Sequence, residues 1–457
     1  MKTAQLDFQT RTIMGPKYKY VRIPMNNHAS ASVNIQPTST ELLEWKLPNQ
    51  VYNLARSYIS YSLEIPGETD YAQMTFEDTF DIAQSATFGS AGGIDIVNIA
   101  NLQNYVKIAR KIDTSVEDYM GNDNMSQLYR CDSEVAYNKL PFQHTAGNYD
   151  GVDNYIEPRY TVEGHVHDSA ANPPVNGTLY RYRQFPLGAI PGTLFAVDRD
   201  FYSPVEQYLR ITAGVGKKIA LSTKDTSEPD ELASATKTPD KVTINQCYLY
   251  LAMEQNLEVV AHMHNKYRSG QLRFTIPYTT GFKNTGAAAA GETTNIQIQI
   301  SQQYGKRLKR ILHTVWNNKE EGATAYDCTN RDGSKIESYQ TFLDSLPIQD
   351  RILSCKRPSG SNLNSDDWFE NKRYLDKRSC ILSKEMYALN WFHIDQWHEP
   401  HDKASSLPDV NIDKGLIMDT PKSWTISAKA GAGGLVHYTW VEFMREIEVT
   451  VAGPGFV

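Results

Sequence analysis

Apolar and polar residues alternate with period two in two stretches that lie half a chain apart. In the first, Val33–Pro37 leads through a polar segment into Leu54–Ile65, where Ile59, Tyr61, Leu63 and Ile65 fall on one face and Ser60, Ser62 and Glu64 on the other. In the second, Asn295–Ile300 leads through a polar segment into Leu308–Trp316, with Ile296, Ile298 and Ile300 opposite Gln297 and Gln299. Alternation of this kind marks a strand with one face in a core. Each stretch therefore predicts strand, connection, strand. Leu54 and Leu308 are 254 residues apart, far beyond the period of a solenoid or propeller, so the repetition predicts two whole β-domains of similar design.

The rest of the chain fills in that plan. Residues 1–20 read as an N-terminal arm, 21–255 as a first sandwich, 256–270 as a linker and 271–457 as a second sandwich. Further strands are predicted at Tyr208–Thr212, Val242–Met253, Leu272–Phe282, Ser338–Leu343, Ile381–Leu389 and Ser423–Ala428. The closing run ends on Ile447, Val449 and Val451, a half-buried strand that leaves only AGPGFV over. Two helices interrupt the strands. Ile99, Leu102, Val106 and Ala109 recur on one helical face, and Asp366–Ser379 is a charged helical candidate. The Gly-, Asn- and Asp-rich stretch His144–Thr178 and the segment Thr223–Asp240 read as long loops at one end of a sandwich. About eight strands per half, with short turns on one side and long loops on the other, predict an all-β chain of two consecutive eight-stranded jelly-roll sandwiches with a few helices in the loops.

Size agrees with two domains, because 457 residues exceed what one hydrophobic core normally serves. A formal charge of -7 argues against a coat that neutralises nucleic-acid phosphates along its whole surface. The first 22 residues differ: Lys2, Arg11, Lys17, Lys19 and Arg22 face a single acid, Asp7, which suits an arm touching an acidic surface such as anionic lipid. No apolar run approaches the length of a membrane span and MKTAQLDFQT lacks the apolar centre of a signal peptide, so the expectation is a protein made without Sec export. Cys131, Cys247, Cys328, Cys355 and Cys380 are odd in number and widely spaced, which predicts no disulfide framework. The sequons at Asn124 and Asn176 are discounted on the same ground of compartment.

Candidate chemistry is sparse. HIDQWHEPHD gathers His393, Asp395, His398, Glu399, His401 and Asp402, ligand types that bind zinc when strands or helices position them, yet this stretch runs into a Pro-containing loop. The pairs His165/His167 and His262/His264 would each share a strand face if extended, and two ligands do not complete a site. AKAGAGG (Ala428–Gly434) lacks the following helix a phosphate cradle needs and reads as a hairpin connection, and GVGKK at Gly214 lacks the P-loop frame. Lys306, Arg307, Lys309 and Arg310 form the one basic cluster, suited to nucleic acid or nuclear import, or else to a solvated strand entry or a subunit contact with an acidic neighbour. Trp391, Trp397 and Trp440 are candidate stacking platforms if the chain is instead a two-sandwich carbohydrate-binding protein. No catalytic, cofactor-binding or metal-binding residue is assigned, no cofactor is expected, and no enzyme is predicted.

LPNQVYNLARSYISYSLEI (Leu47–Ile65), FPLGAIPGTLF (Phe185–Phe195) and ESYQTFLDSLPIQD (Glu337–Asp350) together resemble the double jelly-roll major capsid proteins of the tectivirus and adenovirus lineage, which includes virophages and polinton-like viruses. The resemblance covers Val21 to Val451 as a pattern. It implies a structural role: homotrimers whose six sandwiches form a pseudo-hexameric capsomer of an icosahedral shell, with neighbouring capsomers and minor capsid and vertex proteins as partners. It also implies that the long loops point outward and that Lys2, Arg11, Lys17 and Lys19 reach an internal lipid membrane, with no sequence-specific nucleic-acid binding. The chain would then reside in the virion, after assembly inside the host cell.

Overall fold

The computed structural model of the protein describes residues 17–36, 39–65, 73–75, 79–113, 179–214, 221–223, 242–301, 305–317, 336–355, 366–375, 391–397, 415–431 and 433–456. The first part of the chain contributes β1 (Tyr18–Pro24), β2 (Val33–Ile35), β3 (Glu41–Leu47), β4 (Tyr52–Ile65), β5 (Gln73–Thr75), β6 (Ala83–Ser90), β7 (Asp95–Ala100), α1 (Leu102–Asp113), β8 (Leu179–Pro186), β9 (Asp200–Phe201), β10 (Gln207–Ala213), β11 (Leu221–Thr223) and β12 (Val242–Glu254). Helix α2 (Leu257–Arg268) follows. The second part contributes β13 (Arg273–Thr285), β14 (Thr293–Ile300), β15 (Arg307–Asn317), β16 (Ile336–Leu343), β17 (Leu346–Pro347), β18 (Leu353–Ser354), α3 (Asp366–Lys372), β19 (His393–Gln396), β20 (Leu416–Ile417), β21 (Lys422–Ala430), β22 (Leu435–Thr450) and β23 (Gly453–Phe456).

These strands build the same object twice. In the first sandwich one sheet runs β1-β12-β4-β8 and the facing sheet β3-β10-β6-β7. In the second the orders are β13-β22-β15-β19 and β14-β21-β16-β17. Counting the eight principal strands of each half along the chain gives 1-8-3-6 and 2-7-4-5 in both, and every pairing is antiparallel: this is the jelly-roll order, twice. Alternation explains the inner faces. Leu43, Trp45 and Leu47 point inward from β3 between exposed or half-buried Glu44 and Lys46, and Trp424, Ile426 and Ala428 do the same from β21.

The structure corrects several expectations. The duplication holds for Leu54–Ile65 and Leu308–Trp316, which are the equivalent strands β4 and β15, but Val33–Pro37 is not the counterpart of Asn295–Ile300. That counterpart is β3, whose Glu41–Leu47 alternation lies inside the supposed polar connection. Ile99 does not belong to the first helix; it ends β7, and Asn101, at φ 54, turns the chain before α1 begins. The linker is a helix, capped by Asn256, whose side chain accepts a hydrogen bond from the Glu258 amide. His262 and His264 therefore sit about 200° apart on α2 rather than on one strand face, and His264 packs against Tyr202. Residues 428–434 do not join a hairpin, because β21 and β22 belong to opposite sheets. The final residues are not a leftover tail: β23 folds back on β22 as an edge strand, where Pro454 costs no central ladder bond. Lys19 and Arg22 lie within β1, paired to β12, rather than on a free arm. Residues 1–16, His165, His167, Ile381–Leu389, the loop 144–178 and most of 223–240 lie outside the described residues.

The turn between β16 and β17 contains only Asp344 and Ser345, both with positive φ, at 50° and 69°. That is the two-residue hairpin whose backbone matches strand twist and which glycine fits best at its second position. Ser345→Gly is expected to stabilise the second sandwich by roughly 0.5–1 kcal/mol, read as a raised midpoint in urea with unchanged slope.

Candidate functional site: the junction between the sandwiches

The outer face of the β13-β22-β15 sheet is where the two halves meet. Trp440, Leu312 and Thr279 all project from this face, and all three are buried, Trp440 to 1% exposure. What covers them comes from the first sandwich. The Trp440 indole N–H donates to the Ala100 carbonyl at 3.3 Å, and its ring lies 5.7 Å from that of Tyr105 on α1. Tyr105 donates its hydroxyl to the Pro191 carbonyl at 2.9 Å, and Thr279 donates to the Gly192 carbonyl at 2.7 Å. Two glycines permit this approach. A Cβ at Gly281 would lie 2.7 Å from the Ala100 carbonyl oxygen, and Gly192, at φ +64, would place one 2.5 Å from Thr279 Oγ1.

Arg310 closes the junction electrostatically. Its two terminal nitrogens donate to Asp113 Oδ1 and Oδ2 at 2.8 and 2.6 Å, and Nε donates to Glu442 Oε2 at 2.7 Å. Asp113 ends α1 in the first sandwich, whereas Arg310 and Glu442 are cross-strand neighbours in the second. Burial alone would lower the basicity of the guanidinium, but the two carboxylates outweigh it and hold it well above its ordinary value. The predicted basic cluster is thus divided: Lys306 is exposed, Lys309 is buried and Arg310 serves an acidic neighbour within the same chain. Nothing in sequence links Arg310 to Asp113, which lie 197 positions apart.

The histidine-rich segment divides as well. His398, Glu399, His401 and Asp402 lie outside the described residues. His393 and Asp395 point from β19 into the core of the second sandwich, fully enclosed. Tyr339 of β16 meets His393 Nδ1 at 2.9 Å, Asp395 accepts from the Trp424 indole at 2.7 Å and from Gln349 at 3.1 Å, and the Asn371 side-chain Oδ1 on α3 accepts from the Ile394 amide at 2.8 Å. Trp391 donates to Asp367 of the same helix at 3.0 Å. The network links both sheets to α3. Burial works against the charge of Asp395, but His393 and the hydrogen bonds more than offset it and keep the carboxyl below its ordinary value. Among the described residues no cluster of three His, Cys, Asp or Glu side chains has a metal-binding arrangement. Trp391 and Trp440 are enclosed and Trp397 is partly buried, so the first two are not open stacking platforms.

A second buried pair lies beside it. His313 Nε2 and His437 Nδ1 are 3.1 Å apart, and His313 Nδ1 meets Thr439 Oγ1 at 2.8 Å. Burial, with His437 and His393 nearby, holds His313 well below its ordinary value, and burial pushes His437 down to about 4.

No family model and no curated protein sequence matches the chain. Solved structures do. A chain of the Sputnik virophage, from its 3.5 Å cryo-EM structure, superposes with a TM-score of 0.58 at 12% identity, over 96% of this chain and 88% of that one. PBCV-1 VP54, fitted into a reconstruction of Sputnik, gives 0.48 at 9% identity, over 97% of each chain, and the mavirus major capsid protein gives 0.47 at 11%, over 93% and 89%.

Two predictions test this geometry. Arg310→Met leaves Asp113 and Glu442 without their cation, and we expect a loss of about 3 kcal/mol, with Arg310→Lys recovering little because a point charge cannot span both carboxylates. Urea unfolding followed by tryptophan fluorescence reads it. For the histidines the folded values lie below the unfolded one near 6.5, so the unfolded chain binds protons first on acidification. For His437 stability is full above pH 6.5 and falls toward pH 4, by about 1.4 kcal/mol per pH unit, and His313 acts in the same direction. His437→Asn, which keeps a hydrogen-bonding group near Nδ1 but cannot titrate, should flatten the difference between midpoints measured at pH 7.5 and pH 5.

In strand order, layering and superposition, the chain has the double jelly-roll fold.

Proposed function

We propose that this chain is the major structural subunit of an icosahedral viral shell, assembling through itself into homotrimeric capsomers and then into contacts between capsomers. The observation that carries the reading is the junction: two jelly rolls of the same strand order are fixed side by side by a buried tryptophan, a bidentate arginine and two close-packed glycines. Such a unit suits a tile. The Sputnik chain that shares the fold belongs to a virus particle, which supports the same role. The sheet edges agree, since among the described residues β1 and β13 each pair on one side only, and a ring of subunits would cover such edges. Enclosure of His393, Asp395, Trp391 and Trp440 favours packing over catalysis or glycan stacking. Vertex and minor capsid proteins, and a membrane met by the basic arm, are further partners this role would bring.

Light scattering on a size-exclusion peak tests the reading. A species of three times 51.7 kDa, about 155 kDa, is expected; a monomer at every concentration up to the millimolar range would sink it.

A further inference from the structure

The two sandwiches share one strand order, and the equivalent outer sheet face is treated in opposite ways in the two halves. In the second sandwich the outer face of β13-β22-β15 is sealed, with Tyr438 and Trp440 each at 1% exposure. Its cover comes from the first sandwich, through Ala100 at the end of β7, the turn at Gly192, and Tyr105 and Asp113 of α1, the helix that leads from the 2-7-4-5 sheet into strand six of the other sheet. In the first sandwich the equivalent face of β1-β12-β4 carries a tyrosine ladder. Tyr20, Tyr58 and Tyr250 follow one another at ring separations of 5.7 and 5.0 Å, and Arg22 lies over Tyr248 at 4.7 Å. Tyr20 is 50% exposed, and Tyr58, Tyr248 and Tyr250 are half-buried.

We infer that this tyrosine face is a docking surface for a second copy of the chain, and that what docks there is the second sandwich's helix α3 with Phe369 foremost. The argument is one of equivalence. Helix α3 leaves the β14-β21-β16 sheet ahead of β19, the same topological place that α1 holds ahead of β8. On α3, Asp367, Trp368 and Asn371 are turned into their own core, while Phe369 stands 59% exposed. An exposed aromatic on one copy and an aromatic ladder with an exposed end on another are complementary, Phe369 at 59% and Tyr20 at 50% exposure. The contact inside one chain would thereby be repeated between chains. It is heterologous, one face on each partner, so it propagates head to tail and closes into a ring when the rotation allows. The inference rests on the proposed assembly role and names the surfaces that role uses.

The experiment uses the full chain and two variants, Tyr250→Arg and Phe369→Asp, with melting curves and circular dichroism to establish that each is folded. Each variant alone should run as a 51.7 kDa monomer. Mixed in equal amounts they retain one good face each, so they should form a dimer of about 103 kDa, twice 51.7 kDa, and stop there. Folded variants that keep the mass of the unchanged oligomer would overturn the inference while leaving the assembly role standing. An unchanged chain that is itself monomeric would overturn the role and the inference together. Should either variant fail to fold, a photo-crosslinking phenylalanine analogue at exposed position 20 replaces it. Crosslinks to residues 366–373 of a second copy support the docking surface, and crosslinks confined to other segments of that copy refute it.

Discussion

A sheet face that carries a tryptophan beside a leucine gains by being covered, and the second sandwich has such a face on its outside. Trp440 and Leu312 project away from their own core, so another layer must cover them. The first sandwich supplies that layer through α1, Ala100 and Gly192. The two halves are thus one unit, and the buried cluster of apolar side chains runs through both. Direction is set by polar groups within this contact. Arg310 sits where desolvation would otherwise expel a cation, so the arrangement is favourable only when Asp113 and Glu442 both reach it. Dispersion and apolar burial hold the halves together, and the arginine allows one angle between them.

A similar division of labour operates inside the second sandwich. Its core encloses the polar side chains of Tyr339, His393, Asp395, Asn371 and Asp367. Their bonds run between elements rather than along them. Asn371 and Asp367 bind the β19 backbone and the Trp391 indole, which orients α3, and that orientation is what turns Phe369 outward. A buried hydrogen-bonded network specifies geometry because a wrong arrangement strands further donors and acceptors in a low-dielectric interior. The neighbouring imidazole pair adds a dependence on pH, since His313 and His437 fit there only when neutral.

Legibility in sequence followed the range of the interactions. Period-two strands such as β4, β14 and β22 were readable because a half-buried strand writes its environment into alternate residues. Strand β3 was equally regular, with Leu43, Trp45 and Leu47 against Glu44 and Lys46, yet its neighbours Thr38–Thr40 made the region read as polar. Helix α2 carried its own signal, Asn256 ahead of Glu258 and then Val259, Met263 and Tyr267 at helical spacing. Strand β23 was hidden by its glycines and proline, residues that an edge strand tolerates and a propensity reading rejects. The junction was beyond reach. Arg310 and Asp113, or Trp440 and Ala100, meet only after both sandwiches exist, and a single sequence holds no trace of such pairs.

The choice of aromatic at the two equivalent faces follows from when each is covered. The face bearing Trp440 and Tyr438 is buried within the chain as it folds, so a tryptophan whose indole N–H finds the Ala100 carbonyl never has to meet solvent. The face bearing Tyr20, Tyr58 and Tyr250 stays open on a single copy, and there a large exposed apolar side chain would promote indiscriminate association. Tyrosine serves both conditions, because its hydroxyl is hydrated while the face is open and its ring still supplies contact area when a partner arrives. Arg22 and Arg56, stacked on Tyr248 and Tyr18, keep charge beside these rings and further discourage unspecific stacking. The same sheet topology thus carries a permanent contact in one half and a deferred one in the other, with a tryptophan beside Tyr438 on the sealed face and tyrosines in the ladder of the open one.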